Sequence, residues 1–538
     1  MAEAGIDQTP PSFVNEKVNL HEQLGKQRAG VRRLYLTAYW WISLALLAVL
    51  GACQGSGSPA PPTRGSRTPA AEPSAVGSAQ ATRRPGAGQP SATPANQPTP
   101  SPGITLTAAD LNGVEVQLWH PWSGAAGEAF EALVADFNAE NPYGVRLEAR
   151  AHGTYNELYD QVRLAIPAGE TPDLAVGYLY EILAWREAGA PLVNLDRYVE
   201  DPSWGLSQAE QDDFLPVFWE HDMVNQARLG FPAQRFAQLL YYNQSWAEEL
   251  GFDTPPETPR EFMTQACAAA QANRADDDSE NNGAGGWIAN AAPEVMLGWL
   301  YAFDSPVVNR SGSGYDLDTP ESEAALTFLQ DLYASGCAWQ VAGEVFSTDI
   351  VGGDTASGGH LIQEYTQSAF ASRLALLAAG SVAGIADQEE ALAFAGNDDQ
   401  WTVLPFPSPE GDPAIAAYGP SFSLFASAPE NQLAAWTFLK WFTSEEIQSR
   451  WIAATGSYPL QAGVLARSKA SSSVPQQWSQ ALDFLPYARS EPPFESWGVV
   501  RWALSDLGTQ AFRSYFGADR IPAALELLDD TAAELHRR

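Results

Sequence analysis

The sequence predicts an α/β fold built from mostly parallel sheets flanked by helices. Three observations lead there. After residue 112 the apolar pattern switches repeatedly between strand and helix periods. The chain has 538 residues, 45% hydrophobic content and 18 Trp, enough for two packed lobes of ordinary size. The first 103 residues read as non-globular, which leaves 104–538 to form those lobes.

The N-terminus reads as an export signal. Lys26, Arg28, Arg32 and Arg33 precede an apolar run from Leu34 to Ala52, which closes as Leu50-Gly51-Ala52-Cys53. A basic stretch, an apolar run and small residues make a secretory signal peptide over 1–53. The last four residues resemble a lipobox, in which the Cys53 thiol receives diacylglycerol. A run of about 19 apolar residues also suffices for a retained membrane helix, the other reading of this segment. Both place the remainder outside the cytoplasm.

From Gln54 to Gly103 the composition falls to Pro, Ser, Thr, Ala, Gly and Gln without apolar periodicity. Such a segment cannot bury enough surface to offset its ordering entropy, so 54–103 is expected to be a disordered, partly extended linker.

In the globular part, Val114 to Trp119 reads as an inner strand, and Phe130, Leu133, Val134 and Phe137 recur at helical spacing behind it. Val145 to Ala149 reads as a second strand, Asn156 to Ile166 as a helix and Leu174 to Tyr178 as a third strand. This alternation argues for a parallel sheet whose carboxyl strand ends face a ligand crevice.

Charge narrows the partners. Lys and Arg number 30 against 65 Asp and Glu, and residues 104–538 carry 21 against 60. That surface repels phosphate backbones and anionic lipid, which excludes nucleic-acid binding and a polybasic membrane contact.

An ordered series of short motifs then carries a resemblance. Leu118-Trp119-His120, Asp136-Phe137-Asn138, Asn141-Pro142, Gly153-Thr154-Tyr155, Pro172-Asp173, Gly230-Phe231-Pro232, Leu240-Tyr241-Tyr242-Asn243, Pro255-Pro256-Glu257-Thr258 and Thr455-Gly456-Ser457-Tyr458-Pro459 occur in this order. Together with Ala434-Ala435-Trp436 and Phe438-Leu439-Lys440-Trp441, they resemble family 1 extracellular solute-binding proteins, the maltose-binding-like receptors of ABC importers. Pro259 departs from the pattern where relatives carry Trp, as does the inserted Ser457.

The resemblance implies a two-lobed periplasmic-binding-protein fold with a hinge. Crossings are expected near Pro232 to Ala237, Ala369 to Leu377 and Ala416 to Ser421, giving lobe one as about 112–233 and 374–416 and lobe two as about 234–373 and 417–538. It also implies a solute held between the lobes, docking to membrane permease subunits, and a monomer. No cofactor, metal or nucleic acid is expected.

A sugar presents C–H faces and hydroxyls, so its site needs aromatic platforms and orienting polar groups. Trp119, His120 and Trp122 follow the first strand, Tyr155 follows a glycine turn, and Tyr178, Tyr180 and Glu181 follow the third strand. From lobe two, Trp287, Trp299, Tyr458, Trp497 and Arg501 are candidates, the later ones on the family comparison. Trp436 and Trp441, on an amphipathic helix, read as core residues, while Tyr241 and Tyr242 fit core and site equally. The acidic stretch Asp276 to Asn282 lacks the terminal Glu of an EF-hand and reads as a solvated turn. Cys267 and Cys337 are expected to form a disulfide in an oxidising setting.

No Gly-x-Ser-x-Gly, His-Glu-x-x-His or Walker loop appears in the lobes, which argues against an enzyme. A secreted carbohydrate-active enzyme is the remote alternative. A receptor for glycerol 3-phosphate or another polar metabolite is the nearer one, with Arg501 or Arg235 as anion donors.

Overall fold

The computed structural model describes residues 103–340, 365–471 and 474–537. The signal run, Cys53 and the linker up to residue 102 lie outside the described residues.

The chain opens with β1 (Glu115–His120), α1 (Gly124–Glu140), β2 (Arg146–Ala151), α2 (Tyr155–Ala168), β3 (Leu174–Gly177) and α3 (Leu179–Glu187). β1 pairs in parallel with both β2 and β3, as the strand–helix alternation requires. Local chemistry starts the helices. Gly153 turns the chain at φ +74°, and Thr154 then caps α2 by accepting from the Glu157 amide while Glu157 accepts from the Thr154 amide.

The chain leaves this sheet through β4 (Phe231–Pro232) and enters a second one as β5 (Phe236–Asn243). There follow α4 (Pro259–Ala275), β6 (Gly285–Ile288), α5 (Pro293–Ala302), α6 (Pro320–Ala334), β7 (Ala338–Trp339), β8 (Ala375–Ser381), β9 (Trp401–Leu404) and β10 (Ile415–Tyr418). Pro259 occupies the first turn of α4 behind its Thr258 cap, where a missing N–H costs nothing. Return to the first sheet comes through β11 (Ser421–Leu424), followed by α7 (Pro429–Phe442), α8 (Glu445–Thr455) and α9 (Ala462–Ala470). The C-terminal part, β12 (Ala488–Ser490), α10 (Trp497–Ala511) and α11 (Ile521–Arg537), belongs to the second lobe.

The first sheet therefore runs β2-β1-β3-β11-β4, and the second runs β7-β6-β8-β5-β10-β12 with β9 also on β5. Parallel pairings join the strands that alternate with helices. Antiparallel ones appear where β5 and β11 arrive from the opposite lobe and run against their neighbours.

The lobe boundaries need one correction. Ala375–Ser381 does not pass into the first lobe; it is a central strand of the second sheet, between β6 and β5. Its apolar, largely buried run suits a strand covered on both faces. The stretch that completes the first lobe is about 421–470, where Phe422 pairs with Val176 and Trp436 and Phe438 fill the core. The chain passes between the two sheets at 232–236 and 418–421, and α9 packs on α8 of the first lobe whereas the helix at Gln476–Ala481 packs on β9 of the second.

Cys267 on α4 is bonded to Cys337 ahead of β7. The Asp276 carboxylate accepts from the Asp278 amide and the Asn281 side chain within an acidic surface turn.

Candidate functional site

The carboxyl end of β3 and the start of α3 carry a ladder of rings at the face of the first lobe. Tyr178 and Tyr180 stack at 5.5 Å with planes only 10° apart, and Tyr155, at the start of α2, lies 5.0 Å from Tyr178. Burial pushes the phenol pKa of all three upward, so these rings are neutral hydrogen-bonding platforms. Glu181, one turn into α3, is 5% exposed, and its Oε2 accepts from the Tyr178 amide at 2.8 Å. Burial raises this carboxyl to about 8 against the opposing pull of that amide and of Arg501.

The second lobe answers from α10, α5 and the turn after β12. Arg501 places its guanidinium 4.8 Å from the Tyr180 ring and 5.0 Å from Trp502, and its Nη1 donates to Glu294 Oε1 at 3.1 Å. Burial opposes its charge, but Tyr180, Glu294 and Glu491 hold it protonated. Glu491, 6% exposed, accepts from Trp497 Nε1 at 2.8 Å, and burial raises it to about 7. The lobes meet at this point: a Cβ built at Gly498 would approach the Tyr180 ring to 3.1 Å. Rings, carboxyls and one guanidinium thus converge from both lobes, an arrangement able to stack a flat molecule and fix it by hydrogen bonds.

Behind this constellation lies the hinge. Arg235 on the 232–236 crossing is 1% exposed. It donates to Asp222 at 2.7 Å, to Ser421 at 2.9 Å and to the carbonyls of Gln234 and Pro420 at 2.8 Å each. Gln234 connects hinge to cleft, since its Oε1 accepts from Trp122 Nε1 at 2.7 Å and from the Tyr155 hydroxyl at 3.4 Å.

Among the residues singled out from sequence, Tyr155, Tyr178, Tyr180, Glu181 and Arg501 come together, with Trp497 supporting Glu491. The remainder are placed elsewhere. Trp122 is a core ring packed on Phe130, Phe422 and Trp451. His120 stacks against Trp122 and Phe130 with its pKa lowered to about 4 by burial, so it is neutral. Trp119 packs on His152, 4.4 Å between centroids, at the carboxyl ends of β1 and β2.

Trp287 and Trp299 are corrected to core positions: fully buried in the second lobe, they pack edge-on around Phe262 because β6 is covered on both faces. Tyr458 is corrected as well. It is fully buried, its amide donates to the Arg235 carbonyl and its hydroxyl to the Ala481 carbonyl, so the Thr-Gly-Ser-Tyr loop braces the hinge. Tyr241 and Tyr242 lie buried on β5, and Trp436 is a core ring of α7.

Sequence reasoning missed Gln234, Glu294 and Glu491. Glu294 sits in the first turn of α5 behind Pro293, and Glu491 precedes a Pro-Pro pair; neither has a local signal distinguishing it from other surface acids. A recess of about 510 Å³ lined by Tyr333, Trp339 and Arg513 belongs to the second lobe alone, whereas the constellation around Tyr180 and Arg501 draws on both.

Residues 132–481 match the family of bacterial extracellular solute-binding proteins. No curated protein matches the chain in sequence. Among solved structures, the cyclic α-maltosyl-1,6-maltose binding protein from Arthrobacter globiformis is 18% identical with a TM-score of 0.62, over 79% of this chain and 99% of that one. The sugar-binding protein MalE from Xanthomonas citri is 18% identical with a TM-score of 0.63, over 79% and 98%. UgpB from Mycobacterium tuberculosis, in complex with glycerophosphocholine, is 17% identical with a TM-score of 0.59, over 79% and 98%.

Proposed function

This chain belongs to the bacterial extracellular solute-binding proteins, and from that premise we propose that it is the lipid-anchored receptor of an ABC importer, capturing a carbohydrate between its lobes for delivery to membrane permease subunits. The observation that carries the carbohydrate reading is the stacked Tyr178–Tyr180 pair, with Arg501 over the Tyr180 ring across the lobe boundary. Stacked tyrosines offer faces for sugar C–H groups, and the surrounding carboxyls offer acceptors for hydroxyls.

The glycerol phosphate reading has less support. An anion site needs uncompensated positive charge, yet Arg235 is neutralised by Asp222 and Arg501 by Glu294. Solute contacting both lobes favours the closed arrangement, and closure is what a permease would recognise. Residue 53 would carry the lipid, with the 54–103 linker giving reach; the working form is a monomer, which leaves each lobe free to dock.

A thermal-shift panel of saccharides, glycerol 3-phosphate and amino acids tests this directly. Saccharides are expected to raise the melting temperature, and Tyr178→Ala or Tyr180→Ala to abolish that rise. A response to glycerol 3-phosphate alone would replace the carbohydrate by an anion.

A further inference from the structure

The charges enclosed between the lobes do not balance. Glu181, Glu294 and Glu491 share the cleft with a single guanidinium, Arg501, and that group already makes its ion pair with Glu294. Arg235 is near enough to act on Glu491, but its charge is matched by Asp222 at 2.7 Å. The other groups facing the two remaining carboxyls are phenols held neutral by burial, among them Tyr178, Tyr180 and Tyr418.

Two further observations concern what is left unmade. Glu181 is 5% exposed and makes no ion pair among the described residues, and its Oε2 accepts from the Tyr178 amide. Arg501 Nε is a buried donor without a partner. A buried carboxylate and a buried donor both cost stability when unpaired, so one site calls at once for a cation and for an acceptor oxygen.

We propose that the solute is a polyhydroxylated amine, an amino sugar or amine-bearing saccharide, whose ammonium is held by Glu181 and Glu491 beside the Tyr178–Tyr180 stack while a hydroxyl accepts from Arg501. This deepens the receptor reading above and rests on it. The tyrosine faces suit the arrangement, because an ammonium beside an aromatic ring is attracted by the ring quadrupole, most strongly when desolvated. Burial is the main cause of the raised proton affinity of both carboxyls, and an ammonium placed between them would offset it in place of protons.

Calorimetric titration of the full-length protein with three probes tests the inference: the glucosamine disaccharide with free amines, its N-acetylated counterpart, and maltose. The free-amine disaccharide is expected to bind at least about tenfold more tightly than either neutral sugar, a factor within reach of one desolvated cation contact. In Glu181→Gln and Glu491→Gln, that ratio should fall toward unity. Neutral sugars binding as tightly as the amine would overturn the inference and leave the carbohydrate receptor standing. Binding by none of the three would overturn both. An unchanged amine preference in both Gln variants would overturn the assignment of the ammonium to these carboxyls.

Discussion

Two arginines, one fully buried and one half-buried, stand within one molecule under opposite conditions. Arg235, on the hinge crossing, is enclosed by Asp222, Ser421 and backbone carbonyls, and its charge is matched one to one. Arg501, in the cleft, makes one ion pair and otherwise lies against rings, with two more carboxyls near it that it cannot satisfy. Both leave one buried Nε unpaired, but the hinge charge is matched, whereas the cleft holds more carboxyls than cations. A matched ion pair with several hydrogen bonds holds the crossing segments in one geometry, and the unmatched carboxyls are open to a cation from solution.

The comparison can be broken most directly at the hinge. Asp222→Ala leaves the Arg235 guanidinium buried without its counter-charge, and a loss of about 3–5 kcal/mol in urea denaturation is expected. Arg501→Leu should cost far less stability, because its ion pair is partly solvated, while removing solute response. Equal losses in the two variants would erase the distinction.

Closure is the next point of attack. Gly498→Leu places a side chain where even a Cβ approaches Tyr180 to 3.1 Å. Scattering should show a radius of gyration that no longer contracts on adding solute.

Acidity should pull the two regions in opposite directions. In the cleft, burial raises Glu181 from 4.5 to about 8 and Glu491 from 4.5 to about 7, so the folded form binds more protons than the unfolded chain between those values. Stability from these groups therefore falls as pH rises from 4.5 to about 8. At the hinge, burial and then Arg235 lower His221 from 6.5 to about 4, so its contribution is present above 6.5 and is lost as pH falls toward 4. Glu181→Gln is expected to flatten the alkaline fall in melting temperature by about 2–4 °C. His221→Gln should flatten the acid one. A change of slope in the wrong limb would show that these groups do not govern the pH dependence.

The smallest effect tests the link between the regions. Tyr155→Phe removes a 3.4 Å hydrogen bond to Gln234, and a stability change of about 0.5 kcal/mol or less is expected alongside a measurable loss of solute affinity.

Much of the first lobe was legible because its signals are local. The period switch from Val114 to Tyr178 specifies strand, helix and strand in turn, and Gly153-Thr154 marks where α2 begins. The same pattern put Tyr155, Tyr180 and Glu181 at carboxyl strand ends, which is where they stand. Apolar runs in the second lobe were less informative. Ala375–Ser381 reads as a buried strand from its composition, but a buried run says nothing about which sheet takes it up. Trp287, Trp299 and Tyr458 look like platforms in sequence and are core or hinge rings in space, since an aromatic residue carries the same signal in either role.

By itself, then, the sequence determined the α/β class, the acidic surface, the strand–helix order of the first lobe and the residues at its strand ends, all properties set by neighbours within a few turns of chain. Tertiary structure alone decided which crossing completes which lobe, that Arg235 meets Asp222, and that Glu294, Glu491 and Arg501 face Glu181. Electrostatic balance is a sum over groups hundreds of residues apart along the chain, and only folding brings its terms within reach of one another.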